Sequence, residues 1–378
     1  MKKYCGPYCL ILLLALAACK KAYEPQVIAT DYHFLVIEGV INAGSNAVTT
    51  ILLNRTKSLG DSSAPNPELG AQVFIEGEAG GSFQLQSQGA GMYNSAALSL
   101  NTSGKYRLRI VTSNGKIYQS DFVPAKQTPP IDSVTWKQDK GVTLYVYAHD
   151  PQNATRYYRW DYMETWLYRS PVSGSLGLNN GQIFFLDSTT QITDCWTTAP
   201  SHNIAIASTE ALAQDVISNI PIAQIQQNDE KMGIRYSSNV KQYGITKEAY
   251  QYWQIIEKSS QQTGGIFDPQ PSQLSGNFHC ISDPNEPVIG FASMSVVTEK
   301  RIFIDYRELT GWFYSNKPGN QCDPIIIGQN ANFLLYNYPD TTYIPSYFVS
   351  GGGLVIVKKV CLDCRRRGGT NSKPSFWK

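Results

Sequence analysis

Aromatic and acidic side chains alternate along one strand-like segment near the middle of the chain. Because successive side chains of a β-strand point to opposite faces, every second residue of this segment shares one face. These residues are Tyr158, Trp160, Tyr162, Glu164, Trp166 and Tyr168. Aromatic rings on an exposed face can stack on sugar rings or hold an apolar ligand. Trp160, Tyr162, Glu164 and Trp166 are therefore a predicted ligand or partner surface, and core packing inside a sandwich is the competing interpretation.

Carboxylates in settings that suit acid–base chemistry occur at three positions: Asp161, Glu164 and Asp268. Glycoside hydrolysis needs two such groups within about 5–10 Å of each other in a cleft. The sequence does not tie these three together. If Glu164 is buried it needs a cationic partner, and the candidates are Arg159, Arg235 and Arg301.

Other catalytic signatures are weak. The four histidines are scattered at His33, His149, His202 and His279, never at ligand spacing. Neither H-E-x-x-H nor G-x-S-x-G occurs, and Asp-x-Asp calcium loops are missing. The sequence therefore predicts no metal site, cofactor or catalytic residue, and a hydrolase is only an alternative.

With Cys5 and Cys9 in the leader and Cys19 assigned to the lipid, five cysteines remain: Cys195, Cys280, Cys322, Cys361 and Cys364. In an oxidising compartment an odd number is consistent with one or two disulfides and one free thiol. Cys361 and Cys364 have C-x-x-C spacing, but a second pair for zinc and a thioredoxin-like setting are both missing. Structural disulfides near the end of the chain are expected, with the connectivity open.

A loop rich in glycine and proline runs from Gly264 to Asn277, directly after a predicted helix. Prolines and glycines at this density favour an ordered, non-repetitive loop, and ordered loops often carry function or brace the fold. Phe267 and Asp268 in this loop are added to the predicted ligand or partner surface.

The first residues predict export and lipid attachment. Lys2 and Lys3 precede a short apolar run, and Leu16-Ala17-Ala18-Cys19 is a lipobox-like sequence. The apolar run is about half of the roughly 20 residues that a membrane-spanning helix needs. We therefore predict a signal peptide over 1–18, an acylated Cys19 and a tether over 19–30. No aspartate follows Cys19, which favours the outer membrane.

The formal net charge is +2, and the basic excess lies in the tail beyond Lys358. A nucleic-acid partner would need a broad basic face, so none is predicted.

Short alternating segments at roughly ten-residue spacing predict a mostly β chain. An immunoglobulin-like sandwich is expected over 31–127. Gln127-Thr128-Pro129-Pro130 marks a linker, and a larger β-rich domain is expected over 131–378. One helix near 247–262 is predicted behind a Thr246 cap, and a second over Glu210–Ile217.

Several motifs together resemble one known family. They are Leu35-Val36-Ile37-Glu38-Gly39, Tyr158-Arg159-Trp160, Gly264-Gly265-Ile266-Phe267-Asp268-Pro269, Cys361-Leu362-Asp363-Cys364 and Phe376-Trp377. With the lipobox, this pattern resembles the domain of unknown function 4249 family of Bacteroidota lipoproteins. The resemblance implies an outer-membrane lipoprotein, often encoded beside a TonB-dependent outer-membrane transporter, and it carries over no catalytic residue. The expected function is a binding or accessory role in nutrient uptake, with a structural or adhesive module and an envelope hydrolase as alternatives.

Overall fold

A computed structural model describes residues 33–57, 66–180, 182–201, 203–261, 276–314, 322–328 and 342–378. The signal segment, Cys19 and the tether lie outside the described residues. So do Phe267 and Asp268 with most of the glycine–proline loop. The described part of the chain contains no helix that is long and apolar enough to cross a membrane.

The N-terminal segment folds into a curled sheet, which we call the half-barrel. Its strands are Leu35–Gly39 (β1), Ile41–Asn42 (β2), Thr50–Arg55 (β3), Asn66–Pro67 (β4), Gln72–Gly77 (β5), Ser82–Gly89 (β6), Met92–Asn94 (β7), Lys105–Val111 (β8), Ile117–Ser120 (β9) and Val123–Lys126 (β10). Three strands from much later in the chain complete it: Phe278–Cys280 (β20), Val288–Gly290 (β21) and Met294–Ser295 (β22). The strand order is β2-β22-β10-β8-β5-β6-β7-β3-β1-β21, with β20 on β9 and β4 on β3.

The half-barrel curls because β1 and β2, which are consecutive in the chain, lie at opposite ends of this strand order. β1 pairs with β3 and β21, whereas β2, its continuation, pairs with β22. Gly39 lies at the junction with φ +137°, and a Cβ there would lie 2.5 Å from the Thr50 carbonyl oxygen. Leu35, Ile37 and the residues of β3, β5 and β8 that point inward form its core. The mostly β class is confirmed, but an immunoglobulin-like sandwich over 31–127 is not.

The middle of the chain forms a two-layer sandwich. One layer contains Ile131–Asp139 (β11), Gly141–Asp150 (β12) and Asp215–Gln226 (β18). The other contains Tyr157–Arg169 (β13), Asp194–Pro200 (β16), Ala205–Ser208 (β17), Arg235–Gly244 (β19) and Thr298–Asp305 (β23). The two layers enclose a core centred on Trp160, Tyr236 and the alternate residues of β12. The division of the chain near 127–131 stays a prediction, and β20–β22 return across it to the half-barrel.

Helix α1 (Lys247–Gln261) packs between the two parts. Its predicted cap is confirmed, since the Ala249 backbone amide donates to the Thr246 hydroxyl at 3.2 Å. The second predicted helix, over Glu210–Ile217, is wrong. Residues 210–214 form a turn, and β18 begins at Asp215, whose buried carboxylate accepts from the hydroxyls of Thr209 and Tyr158.

A small distal module carries the remaining elements and the tail. They are Leu176–Asn179 (β14), Gln182–Phe185 (β15), Ile325–Ile327 (β24), Tyr343–Phe348 (β25), Leu354–Lys358 (β26) and a short helix Lys359–Leu362 (α2). Three-residue or four-residue 3₁₀ turns lie at Glu230–Met232, Tyr306–Glu308 and Cys364–Arg367. Trp377 at the end of the tail is 6% exposed and packs edge-on against Trp196 and Phe303.

The buried tail leads to a stability prediction. Trp377→Ala should lower the free energy of unfolding by about 3 kcal/mol, the lower end of the range for a buried aromatic residue. Urea denaturation measures this, and exposed Ser375→Ala is the matched control. Equal midpoints for the two variants would show that the tail only rests on the surface.

A carboxylate network in the half-barrel predicts a pH dependence. Burial raises the pKa of Glu286, but hydrogen bonds from Lys116 and the Tyr118 hydroxyl outweigh it and the pKa is lowered. A lowered pKa stabilises the fold above the unfolded value of about 4.5, and this stabilisation is lost as the pH falls. The melting temperature should therefore drop on acidification below about pH 4.5, and Glu286→Gln should flatten that dependence. The same slope in Glu286→Gln as in exposed Glu78→Gln would contradict this role.

Candidate functional site

The aromatic face predicted as a ligand surface lies in the core of the sandwich. Trp160 is completely buried and its indole nitrogen donates to Gln242 Oε1 at 2.8 Å. Tyr162 and Trp166 are partly buried and pack against the same core. The even-numbered positions of β13 therefore support core packing, the competing interpretation.

Glu164, which is 6% exposed, has a different partner from those that the sequence suggests. Its carboxylate accepts from Lys231 Nζ and, at 3.3 Å, from the Tyr236 hydroxyl. Lys231 lies on the Glu230–Met232 turn, where the Asp229 side chain caps its backbone amide. The three predicted arginine partners are wrong because Arg159, Arg235 and Arg301 occupy the opposite face of this layer, as the strand register requires.

The opposite face of β13 carries a better candidate site. Arg159 and Asp161 point away from the core, towards helix α1 and strand β1, and line a cavity of about 420 Å³. This volume lies within the range of small-molecule sites, about 300–1,000 Å³. We call this space the Arg159 cavity. Its other lining residues are Val36, Ile37, Glu38, Gly39, Ser201, Asn203, Ile204, Tyr252, Trp253, Ile256, Ile289 and Phe291.

Strand alternation and helix periodicity together build the walls. In β1, Leu35 and Ile37 are buried in the half-barrel, so Val36 and Glu38 point towards the cavity side. The neighbouring strand β21 pairs Ile289 with Val36 and presents it in the same way. On α1, Tyr252, Trp253 and Ile256 lie on one face.

Aromatic rings hold the Arg159 guanidinium. Its central carbon lies 3.9 Å from the centre of the Trp253 ring and 5.6 Å from that of Tyr243, its cross-strand neighbour. Cation–π contacts of this kind orient arginine and lower its hydration. The side chain is only 14% exposed, and its Nη2 donates to both oxygens of Asp161 at 2.9 Å.

Some polar atoms that line the cavity have no hydrogen-bond or ion-pair partner within the described residues. There, Nε and Nη1 of Arg159 donate no hydrogen bond, and the exposed Glu38 carboxylate makes neither a hydrogen bond nor an ion pair. Tyr252 is close to both groups: burial, followed by the Glu38 charge, raises its pKa to about 12, while the Arg159 charge acts in the opposite direction. The arrangement can bind charged groups of a ligand without breaking existing contacts.

The three candidate acids do not form a catalytic pair in the described residues. Asp161 and Glu164 are three positions apart on one strand, so they point to opposite faces, and Glu164 is buried with Lys231. Asp268 lies outside the described residues. Within the described residues, these candidates therefore do not supply the convergent pair that a hydrolase needs.

The five cysteines in the described residues form two disulfides and leave one free thiol. Cys195 joins Cys364 with 5.7 Å between their Cα atoms, and Cys322 joins Cys361 with 5.6 Å. The expected leftover thiol is Cys280, which is buried in the half-barrel. Among the residues described, no group of three or more His, Cys, Asp or Glu side chains is placed to hold a metal ion.

Sequence reasoning named Arg159 and Asp161 but did not predict this cavity, and it missed Glu38. The alternation of Leu35-Val36-Ile37-Glu38 already indicates that Glu38 faces away from the half-barrel core. The sequence does not show that α1 and β21 would lie over that face.

Two further cavities, of about 360 and 590 Å³, lie beside Thr246 and beside Glu286.

Comparisons with known proteins identify a family, but that family has no described function. A family model, "Domain of unknown function (DUF4249)", matches residues 20–301. A search of curated proteins returned no match. Among solved structures, a DUF4785 family protein from Legionella pneumophila is 10% identical; the match covers 49% of this chain and 56% of that one, with a TM-score of 0.18.

The adhesin InvE from Yersinia pseudotuberculosis is 14% identical, with 55% of this chain and 54% of the adhesin covered and a TM-score of 0.15. The chain thus spans about half the length of each of these structures. With TM-scores this low, neither similarity carries an argument about function.

Proposed function

The chain belongs to the DUF4249 family, and on this premise we propose that it is a lipid-anchored outer-membrane protein that binds a small ligand for a TonB-dependent transporter. The observation that carries the binding role is the Arg159 cavity. Three features meet in one concave space: a stacked arginine, an apolar wall, and polar groups of Arg159 and Glu38 that have no partner among the described residues. Such a combination of apolar walls and a few placed polar groups is typical of ligand sites.

The leader supports the anchor and its location. Leu16-Ala17-Ala18-Cys19 suits acylation of Cys19, and no aspartate follows it. The resemblance to lipoproteins that are often encoded beside transporters supports the partner. The cavity counts against a purely adhesive module, which predicts no concave site. A hydrolase that uses Asp161 and Glu164 is not supported, because these two acids point to opposite faces of β13.

Co-purification from native membranes tests this proposal. We expect the tagged chain, extracted in mild detergent after crosslinking, to bring down a β-barrel transporter of the outer membrane. Cys19→Ala is the matched control and should leave the membrane fraction. A wild-type chain that stays alone after crosslinking, or that fractionates identically to Cys19→Ala, would contradict the proposal.

A further inference from the structure

The charges that line the Arg159 cavity select for a particular kind of ligand. Asp161 uses both carboxylate oxygens on Arg159 Nη2, so this pair is internally satisfied. Among the described residues, no partner is present for Nε and Nη1 of Arg159 or for the carboxylate of Glu38. Arg159, Asp161 and Glu38 together carry one net negative charge, so a simple anion would meet repulsion from Glu38. A simple cation would leave the arginine donors unused.

A ligand that carries both an anionic and a cationic group satisfies both ends. A carboxylate can accept from Arg159, whose ring contacts fix the plane of the guanidinium. An ammonium can donate to Glu38. The two groups lie on different elements, β13 and β1, so the ligand would bridge the sandwich and the half-barrel.

The remaining wall is apolar. Ile256, Ile289 and Phe291 line it together with the indole of Trp253. An apolar side chain of leucine size would be buried against this wall, which favours binding. The volume of about 420 Å³ suits a small molecule rather than a polymer.

We propose that the Arg159 cavity binds a small zwitterion, an amino acid or short peptide with an apolar side chain. Its carboxylate lies on Arg159 and its ammonium on Glu38. This inference rests on the proposed function and deepens it by naming the class of ligand.

Calorimetric titration of the purified full-length protein in detergent tests the inference on the wild type. The probes are the dipeptide Leu-Leu, its N-acetyl derivative and its C-terminal amide. We expect Leu-Leu to bind and each blocked form to bind about tenfold or more weakly, because each block removes a charge-assisted contact. Equal binding of the blocked and free dipeptides, or no heat with Leu-Leu at millimolar concentration, would overturn the inference.

Two variants assign the ends of the ligand. Glu38→Gln should weaken the binding of Leu-Leu. It should then bind Leu-Leu and the N-acetyl form equally well, but still bind the C-terminal amide more weakly. Arg159→Gln should also weaken Leu-Leu, but it should bind Leu-Leu and the amide equally well and the N-acetyl form more weakly. Glu78→Gln, in an exposed turn of the half-barrel, is the matched control and should bind like the wild type. Because Glu38 is exposed, its variant should keep the wild-type melting curve, so its binding can be compared even if Arg159→Gln fails to fold.

The transporter experiment is independent of this one. Co-purification with no zwitterion binding would overturn this inference and leave the proposed function intact. If the chain binds Leu-Leu but brings down no transporter, the proposed transporter partner would be overturned and zwitterion binding would remain.

Discussion

Replacing Cys195 and Cys364 by serine should lower the free energy of unfolding by about 3–5 kcal/mol, the largest loss that we expect from removing any single bond. The two cysteines are 169 residues apart in sequence. The crosslink therefore closes a long loop of the unfolded chain, and on the chain-entropy account the stabilisation grows with loop length. Urea denaturation of the non-reduced double variant measures the loss.

The second disulfide is an internal control for this explanation. Cys322 and Cys361 are only 39 residues apart, so serine at both should cost about 1 kcal/mol less. The first bond also ties β16 to the Cys364–Arg367 turn, whose Cys364 carbonyl accepts from the Tyr168 hydroxyl at 2.6 Å. An equal or larger loss for the Cys322–Cys361 pair would contradict a loop-length effect.

Lys231→Met should be the most damaging single substitution at a charged residue of the sandwich. It leaves the Glu164 carboxylate buried with only the long contact to Tyr236. An unpaired buried charge costs about 3–5 kcal/mol; because Lys231 is 30% exposed, water can reach part of the site and we expect about 2–3 kcal/mol. The urea midpoint at pH 7 measures it.

The double variant Lys231→Met, Glu164→Gln tests whether the unpaired Glu164 charge causes the loss of stability. Removing both charges should recover much of the stability, since a neutral amide is far less costly to bury than a carboxylate. If the double variant is as unstable as Lys231→Met alone, the loss comes from the missing contact of the Lys231 ammonium with the Trp166 ring rather than from an unpaired Glu164 charge.

Local patterns predicted most elements of the fold, and non-local contacts decided the rest. Alternation gave β1, β8 and β13 with their inward faces, and Thr246 marked the start of α1. Glu210–Ile217 has helical spacing, but a buried Asp215 with hydroxyl donors begins a strand that pairs with β12. Tertiary pairing overrides a short local preference of this kind.

The site was harder to predict than the fold because its residues come from five distant segments. The aromatic face of β13 was conspicuous in the sequence, yet aromatic side chains are also what a sandwich core requires. Arg159 and Asp161 line a cavity only because α1 and β1 lie opposite them in the fold. Likewise, Lys231 is 67 residues from Glu164, and no local spacing connects them.

The return of β21 to β1 has a consequence for how the molecule is made. β1 pairs in parallel with a strand that follows about 250 residues later. Pairings so distant in sequence form slowly, because the entropy cost of closing the long loop must be met first. During that interval the N-terminal strands have an unfilled edge that can pair with other chains. We therefore expect the exported chain to depend on a holdase chaperone while it folds, until the last three strands pair and complete the half-barrel.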